Sequence, residues 1–293
     1  MSVGYFSKRD LYASLRRLYR ARSQGPVEEE YRGWNWDKPP LRPRAYLGLG
    51  VSEVAYRYCP TMRDVYLRRM GVEGEKNQWL TNGELVHRVF QMVSEEVRRE
   101  LALGRSGWEA YENVSRMVYR KLKDIGVDLA KQRWVVDLYK KLLLRFSADE
   151  WVYYFSEYRV DGSMLGLSRN LRVDALVETG VVIEVKLGKP HENYKRALAG
   201  YALALEANYE VPVDYGILLY VSIANGGKAG FSWEPVYIST SLRSDFIDAR
   251  DEVIDMLVSG KEPPRAEVCP ESCPFRGVCV DEDPDSQRVR NHA

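Results

Sequence analysis

The spacing of apolar residues divides the chain into a helical first half and a strand-rich second half. In the first half, apolar positions recur every three or four residues, which is the period of an amphipathic helix. At the start of the chain this period predicts a basic helix with Ser7 as its N-cap. Leu11, Leu15 and Leu18 would form the buried face of that helix.

Further helices are predicted up to about residue 147. The stretch "LGVSEVAYRYCPTMRDVYLRRMG" has a helical pattern, with Ser52 as N-cap and Glu53 in the first turn. A second helix begins after "LTNG", and two more cover about 108–122 and 129–146. The apolar stripe of the second helix consists of Val86, Val89, Phe90, Val93 and Val97.

The second half alternates strands with single helices. Three strands are predicted in "WVYYFSEYRVDGSMLGLSRNLRVDALVETGVVIEVKLG", and two more in "YGILLYVSI" and "FSWEPVYIS". Helices are predicted in "NYKRALAGYALALEA" and in "SDFIDARDEVIDMLVSG", which ends near Gly260. This order predicts an α/β fold of the mixed α+β kind.

Three charges interrupt the apolar hairpin "LRVDALVETGVVIEVKLG". If residues 178–180 form a loop with Gly180 left-handed, Asp174 lies opposite Glu184. Two carboxylates so close repel unless a proton or cation lies between them, and their hard oxygens favour Mg²⁺ or Mn²⁺. Lys186 would share the face of Glu184 and orient a water or help to deprotonate it. The alternative is an exposed hairpin with a cross-strand salt bridge.

The composition narrows the possible classes of protein but does not indicate a function. A chain of 293 residues with 45% hydrophobic residues suits one large domain, or a domain with appendages. The formal net charge of +1 gives no global argument for nucleic acid, so any basic surface must be local. Abundant Tyr with little Asn or Gln indicates a thermophilic source. We expect no membrane span and no signal peptide, and therefore a cytoplasmic protein.

The first 45 residues are predicted to form an appendage made of the basic helix and a Pro-rich aromatic arm, "RGWNWDKPPLRPRAY". Trp34 and Trp36 are candidates to stack on nucleic-acid bases, or they pin the arm to the domain surface. The stretch "RRLYRAR" is a candidate for phosphate contacts, with a solvated helix face as the alternative.

His87 and the four cysteines are further candidate ligands. His87 lies one helical turn after Gly83, where the missing side chain permits close approach, although most helix-surface histidines bind nothing. Cys59 stands alone, whereas Cys269, Cys273 and Cys279 cluster near the C-terminus. This grouping favours an iron–sulfur cluster, with tetrahedral zinc and two disulfides as alternatives. A four-thiolate site would join the two ends of the domain, so its role would be structural.

The order of these features resembles the iron–sulfur branch of the RecB-type PD-(D/E)xK nucleases. The matching features are a Cys-Pro in an early helix, Gly-x-x-x-His, an Asp followed by Glu-x-Lys, a Tyr-bearing helix and three terminal cysteines. Within that branch the chain resembles CRISPR-associated exonucleases of the Cas-four type. The segments "GWNWDKPPL" and "YCPTMRDVYLRR" resemble the archaeal Csa-one group of type I-A systems.

The resemblance implies a restriction-endonuclease-like core, with a mixed central sheet flanked by helices. Residues 46–264 would form the nuclease domain, with a helical insertion at about 83–147. Residues 265–281 would form a cysteine-rich region, joined to Cys59 by a cluster of the [4Fe–4S] type, or alternatively [2Fe–2S]. Residues 282–293 would form a disordered tail.

The resemblance also assigns roles to residues. His87, Asp174, Glu184 and the carbonyl of Val185 would hold Mg²⁺ or Mn²⁺. Lys186 would position the attacking water, Glu157 would be an auxiliary acid, and Tyr201 matches the tyrosine of a Gln-x-x-x-Tyr motif. The Gln position of that motif is Ala197 in this chain, so Lys195 or Arg196 would have to replace its contact.

The activity implied is exonucleolytic trimming of single-stranded DNA ends before they are integrated as CRISPR spacers. Working partners would be the CRISPR integrase, its small companion subunit and a second nuclease of the same type. The alternative is a catalytically weak iron–sulfur DNA-binding or scaffold subunit of the adaptation complex. A repair helicase-nuclease module is disfavoured, because the chain contains no "GxxxxGK[ST]" motif.

Overall fold

The structure is a computed structural model. It describes residues 2–3, 7–150, 155–177, 180–224, 226–269 and 273–281. Two of the three residues predicted to form the hairpin loop, 178 and 179, lie outside the described residues. The predicted tail 282–293 lies outside them as well.

The described residues contain ten α-helices, which alternate with strands after the middle of the chain. The helices are α1 (Lys8–Gln24), α2 (Val51–Ala55), α3 (Arg63–Arg69), α4 (Gln78–Ala102), α5 (Gly107–Ser115), α6 (Val118–Asp124), α7 (Arg133–Ala148), α8 (Asn193–Tyr209), α9 (Thr240–Ser259) and α10 (Arg276–Asp281). Short 3₁₀ turns cover Glu29–Tyr31, Gly33–Asn35 and Ser163–Leu165.

One mixed sheet of six strands forms the centre of the fold, in the order β1–β6–β5–β4–β3–β2. The strands are β1 (Ser2–Val3), β2 (Phe155–Val160), β3 (Leu171–Val177), β4 (Val181–Leu187), β5 (Tyr215–Ala224) and β6 (Lys228–Tyr237). Only β4 and β5 are parallel, and α8 connects them, as a parallel pair requires. The mixed α/β architecture predicted from the alternation of patterns is confirmed.

The sheet is covered on both sides, so it has two buried faces. On the first, which we call the α4 face, Val181, Ile183 and Val185 of β4 belong to the core that includes α4 and α7. On the second, the α8 face, Val182 and Leu218 belong to the core formed with α2, α8 and α9. The apolar stripe predicted for α4 is fully buried in the first of these cores.

Helix α1 begins where the sequence predicts. Ser7 accepts a hydrogen bond from Asp10 N, and the Asp10 carboxylate accepts one from Ser7 N, which completes a capping box. Leu11 and Leu18 are buried, and Leu15 packs at the edge of the same core.

The arm after α1 is packed into the fold rather than appended to it. Gly33 approaches α8 so closely that a Cβ atom there would lie 2.1 Å from Leu203 O. Trp36 packs on the core of the α8 face, whereas Trp34 donates from Nε1 to Glu29 Oε1 at 2.6 Å. The arm therefore behaves as part of the domain core.

Two predicted helix starts differ from the structure. Gly50, not Ser52, is the N-cap of α2, because the Glu53 carboxylate accepts a hydrogen bond from Gly50 N at 2.7 Å. Helix α2 has five residues, and α3 begins only at Arg63. Cys59 consequently lies in a loop, not in an early helix.

Helix α4 begins at Gln78, six residues before the predicted start at Glu84, because the Asn77 side chain caps the N–H of Leu80. None of the helices in the described part of the chain combines the length and the apolar character needed to cross a membrane.

Candidate active site at an opening in the sheet

The candidate site forms where the strand ladder opens around Asp174. Pairing between β3 and β4 runs from Val177↔Val181 to Ala175↔Ile183 and stops there. Pairing between β2 and β3 omits one position, which lies between Ser156↔Ala175 and Tyr158↔Val173. In place of a ladder bond, Asp174 Oδ2 accepts a hydrogen bond from Val185 N at 2.7 Å.

Strand β3 also changes face at this opening. Val173 packs on the α8 face, whereas Ala175 packs on the α4 face. In a regular strand, residues two apart share a face. On β2 the residue opposite the change, Glu157, has a left-handed backbone with φ 52°. Such a conformation is strained for glutamate and is concentrated at functional sites.

His87, Glu157 and Asp174 come together in the opening. His87 Nδ1 lies 3.2 Å from Asp174 Oδ1 and 3.9 Å from Glu157 Oε1. The three residues each offer one ligand atom within 4.8 Å of the other two. Helix α4 positions the imidazole, because its buried stripe fixes the rotation of the helix on the sheet. Two carboxylates and one imidazole suit a divalent cation.

Glu184 and Lys186 form an adjoining group on the α8 face. Glu184 is 1% exposed, and its Oε1 accepts a hydrogen bond from Tyr56 OH at 2.5 Å and lies 2.5 Å from Lys186 Nζ. The Lys186 ammonium lies 4.5 Å from the ring centroid of Tyr56 and 5.6 Å from that of Tyr194. The shared face predicted for Glu184 and Lys186 is therefore observed.

Glu184 is not part of the group of three that His87 forms. The hairpin places Gly180 at φ 72°, as expected, and the register of the last pairs would bring Asp174 opposite Glu184. The opening instead turns Asp174 toward Val185 N and His87. The two groups nevertheless interact, since the charge of Asp174 raises the pKa of Glu184.

The electrostatics of the site separate its carboxyl groups. Burial would raise the pKa of Asp174, but His87, Lys186 and the N–H of Val185 outweigh it and hold that pKa below its ordinary value. Burial and the charge of Asp174 raise the pKa of Glu184, and the same two causes raise that of Glu157. Asp174 is therefore the carboxyl group that ionises most readily.

The two basic groups hold their protons. Burial lowers the pKa of Lys186, but the charges of Glu184 and Asp174 raise it above its ordinary value. Burial likewise lowers the pKa of His87, and Asp174 more than reverses this effect. Both cations are thus stabilised by the carboxylates around them.

A divalent cation fits the donors that the structure presents. Glu184 Oε2 is buried and has no hydrogen-bond partner among the described residues, although burying an unpaired carboxylate oxygen is costly. Tyr56 and Lys186 occupy only the other oxygen. A cation beside Asp174 would supply the missing partner and relieve the repulsion between the two carboxylates.

Tyr56 is a site residue that the sequence pattern does not identify. Its hydroxyl is buried, and burial together with the charge of Glu184 raises its pKa well above the ordinary value, so it acts as a donor. Nothing in the local pattern of "SEVAYRYCP" marks it, because its partner is 128 positions away along the chain.

The site opens into a cavity of about 740 Å³, which we call the entry cavity. Its wall includes His87, Asp174, Lys186 and Cys273. Gly83 also lines it, and a Cβ at Gly83 would meet nothing within 4 Å. The entry cavity therefore has room for a substrate that reaches the carboxylates.

The Tyr-bearing helix reaches the site only in part. Tyr201 is 8% exposed on α8, and burial with the charge of Glu184 raises its pKa well above the ordinary value. Ala197 is buried in the core of the α8 face. Lys195 pairs with Glu192 and Glu234, and Arg196 donates to the carbonyl of Ala55. Neither cation lines the entry cavity within the described residues.

The C-terminal cysteine segment packs against α3 and the residues that follow α3. Glu75 N donates to the carbonyl of Pro274 at 2.8 Å, and Phe275 is buried beneath Arg68 of α3. The Cys273 thiol is hydrogen-bonded to Cys269, and burial raises its pKa to about 11. Cys59 Sγ lies 3.2 Å from Thr61 Oγ1, and Cys279 lies on α10. None of the four cysteines forms a disulfide within the described residues.

The structure places Asp174 on one strand, Glu-x-Lys on the next and His87 beside the opening, which are features by which the sequence resembles the RecB-type nucleases. A family model described as "CRISPR-associated exonuclease Csa1" matches residues 5–282. The chain belongs to this family of CRISPR-associated exonucleases, and it is accordingly an exonuclease enzyme.

Two curated relatives have the same description, "CRISPR-associated exonuclease Csa1". The protein of Saccharolobus solfataricus is 35% identical over 272 residues, which cover 86% of this chain and 92% of the relative. The protein of Thermoproteus tenax is 37% identical over 275 residues, which cover 90% and 96% respectively. A nuclease role in CRISPR follows from the family.

Proposed function

We propose that this enzyme is a metal-dependent exonuclease that degrades single-stranded DNA ends. In CRISPR adaptation it would trim new spacer DNA before integration. The observation that carries this proposal is the buried Glu184 Oε2, which has no hydrogen-bond partner among the described residues and lies in a site of converging carboxylates. A carboxylate in that position is complete only when a cation binds.

Mg²⁺ or Mn²⁺ would be held by His87, Asp174, Glu184 and the carbonyl of Val185, with Glu157 at hand as a further donor. The ion would supply a Lewis acid for the scissile phosphate and lower the pKa of an attacking water. Lys186 would contribute positive charge where the phosphate becomes more negative. Because its pKa is raised, Lys186 serves as a cation and not as a proton acceptor.

We further propose that Cys59, Cys269, Cys273 and Cys279 hold an iron–sulfur cluster, with four iron atoms favoured over two. The C-terminal segment contacts Arg68 and Glu75, in and after the helix that follows the Cys59 loop, which supports a shared site. Its role would be to join the two ends of the domain. Brown, iron-rich protein after anaerobic purification would support the cluster, and stoichiometric zinc without iron would refute it.

The working partners would be those of an adaptation complex in the cytoplasm: the CRISPR integrase, its small companion subunit and a second nuclease of the same type. Basic residues on the wall of the entry cavity, including Arg88, Arg172 and Lys189, support a polyanionic substrate.

The direct test is degradation of end-labelled single-stranded DNA with Mg²⁺ or Mn²⁺. Wild-type protein should shorten the strand progressively, and Glu184→Ala or Asp174→Asn should slow this at least about 10³-fold. Glu109→Ala, an exposed change at the start of α5, is the matched control and should cleave like wild type. Equal cleavage by wild type and Glu184→Ala would remove the proposed site.

A catalytically weak DNA-binding or scaffold subunit is the second candidate. It is favoured by one observation: Ala197 offers no polar group, and the neighbouring Lys195 and Arg196 are engaged elsewhere. For this candidate, DNA binding and retention of the integrase on an affinity column would persist without metal-dependent cleavage. Cleavage that depends on both Glu184 and a divalent ion would exclude it.

A further inference from the structure

We propose that Trp79 is a base-stacking platform, which holds a nucleobase of the DNA strand whose end lies in the site. This inference rests on the proposed function and adds to it a binding position outside the metal site. The ligand is one base of any identity, because every base has a π-face.

Trp79 lies on the wall of the entry cavity that also contains His87 and Asp174. It is the second residue of α4, and 49% of its surface is exposed. Single exposed aromatic side chains are common, so what distinguishes Trp79 is its place on the wall of the cavity that contains the candidate metal ligands. The position therefore offers an aromatic face to a strand that enters the cavity.

The backbone next to the catalytic lysine holds the indole in place. Gly188 has φ 106°, a conformation that favours glycine, and lies two residues after Lys186. A Cβ atom at Gly188 would lie only 3.2 Å from Trp79 Cη2. The edge of the indole thus rests against the end of β4, which ties its position to that of Lys186.

The charges along the cavity suit the backbone of the same strand. Arg88, Arg172 and Lys189 lie on its wall, whereas Asp64 and Glu84 are the acidic residues outside the candidate metal site. A basic groove with an aromatic platform is the arrangement by which proteins bind single strands without regard to sequence.

The position of Trp79 on α4 sets the length of strand required. Eight residues separate it from His87, which corresponds to about 12 Å along the helix axis. A stacked strand with bases about 3.4 Å apart that runs along α4 would place the base on this platform about three or four nucleotides from a phosphate beside His87.

The test measures binding of fluorescein-labelled ten-nucleotide and two-nucleotide oligothymidylates by anisotropy in EDTA, which prevents cleavage. For the ten-mer, Trp79→Ala should weaken binding about tenfold, and Trp79→Phe should stay within about threefold of wild type. Trp108→Ala is the matched control, because Trp108 is 67% exposed on α5 and does not line the entry cavity. Thermal unfolding verifies that both alanine variants are folded.

The outcomes separate the two proposals. If wild type binds the ten-mer and the affinity of Trp79→Ala equals that of Trp108→Ala, the stacking role of Trp79 is refuted while the nuclease proposal stands. If Trp79→Ala weakens binding of the dinucleotide by the same factor as binding of the ten-mer, the stacked base does not lie three or four nucleotides from the scissile phosphate. If wild type does not bind single-stranded DNA at all, both proposals fall.

Discussion

Two groups of charged residues inside the fold differ in how completely their charges are paired. The first is the candidate site, in which Glu184 leaves one carboxylate oxygen without a partner among the described residues. The second, which we call the sealed cluster, consists of Arg32, Glu206, Asp214 and Arg243. Every member of the sealed cluster is at most 6% exposed and Glu184 is 1% exposed, whereas the side chains of His87 and Asp174 are 30% and 12% exposed.

Pairing in the sealed cluster is complete. Glu206 Oε1 accepts from Arg32, Arg243 and Val213 N, and its Oε2 accepts from Arg243 and Gly33 N. Asp214 contacts Arg32 at 2.5 Å, and Arg22 reaches its other oxygen at 2.9 Å. The cluster fastens the N-terminal arm to α8 and to the start of β5.

The difference shows how to separate structural from functional buried charge. A charge whose every lone pair is satisfied by the protein has its desolvation offset and needs no ligand. A buried carboxylate is unfavourable when one of its oxygens has no hydrogen-bond partner and a second carboxylate lies close to it. Binding of a cation removes both penalties. By this criterion the sealed cluster has a structural role, whereas the group of residues around Asp174 has a functional one.

The largest expected effect is on stability and comes from replacing one glutamate by glutamine in each of the two groups. Glu206→Gln should lower the free energy of unfolding by about 3 kcal/mol, because it leaves two buried arginines undercompensated. Glu184→Gln should change it by less than about 1 kcal/mol in EDTA, because losing this charge also removes its repulsion with Asp174, which still compensates Lys186. Denaturant unfolding measures both. Equal losses would abolish the distinction.

A second test asks what holds Glu184 in place. Tyr56→Phe removes the hydroxyl that donates to Glu184 Oε1, so the carboxylate can rotate. We expect Mn²⁺ affinity, measured by calorimetry, to fall about 10- to 100-fold, as for other residues that orient a metal ligand.

Tyr194→Phe is the matched control, since the Tyr194 ring also lies near Lys186 but its hydroxyl does not contact Glu184. Mn²⁺ affinity in this variant should stay at the wild-type value. Equal losses in the two variants would mean that the Tyr56 hydroxyl has no specific role.

The third prediction concerns pH. A cation competes with protons for His87 and Glu184, and the pKa of each is raised in the folded protein. Mn²⁺ affinity should therefore rise with pH by about tenfold per unit for each proton displaced, until the pH exceeds the raised pKa of His87. In His87→Asn the dependence above pH 6 should flatten. An equally steep dependence in that variant would exclude His87 as a ligand.

The smallest effect is expected at Glu157. Burial and Asp174 raise its folded pKa, so its ionisation destabilises the protein at any pH above that value and has no effect below the unfolded pKa. Glu157→Gln should accordingly stabilise the metal-free protein by about 0.5–1 kcal/mol at pH 8 and by nothing at pH 4. Thermal unfolding at both pH values measures this. The same gain at both pH values would mean that charge is not its cause.

Local pattern alone was enough to predict much of the fold. The stripe of α4, the cap at Ser7 and the left-handed Gly180 depend on residues within a few positions of one another. Candidates at Asp174, Glu184 and Lys186 were visible for the same reason, since charges in apolar strands are unusual within their own segment. The predicted N-cap of α2 and the predicted start of α4 are wrong by a few residues. Gly50 and Asn77, not the residues predicted, cap these helices.

The sequence by itself therefore determined the order of the elements, the mixed α/β class and the charged residues of the hairpin. Only the tertiary structure decided that β3 changes face at Asp174, that strained Glu157 joins His87, and that Tyr56 holds one oxygen of Glu184. It also decided that the N-terminal arm belongs to the core, through an Arg32–Glu206 pair 174 positions apart. The physical reason is that a periodic pattern reports which side of an element is buried. Which distant residue meets a buried charge is settled only when the elements pack.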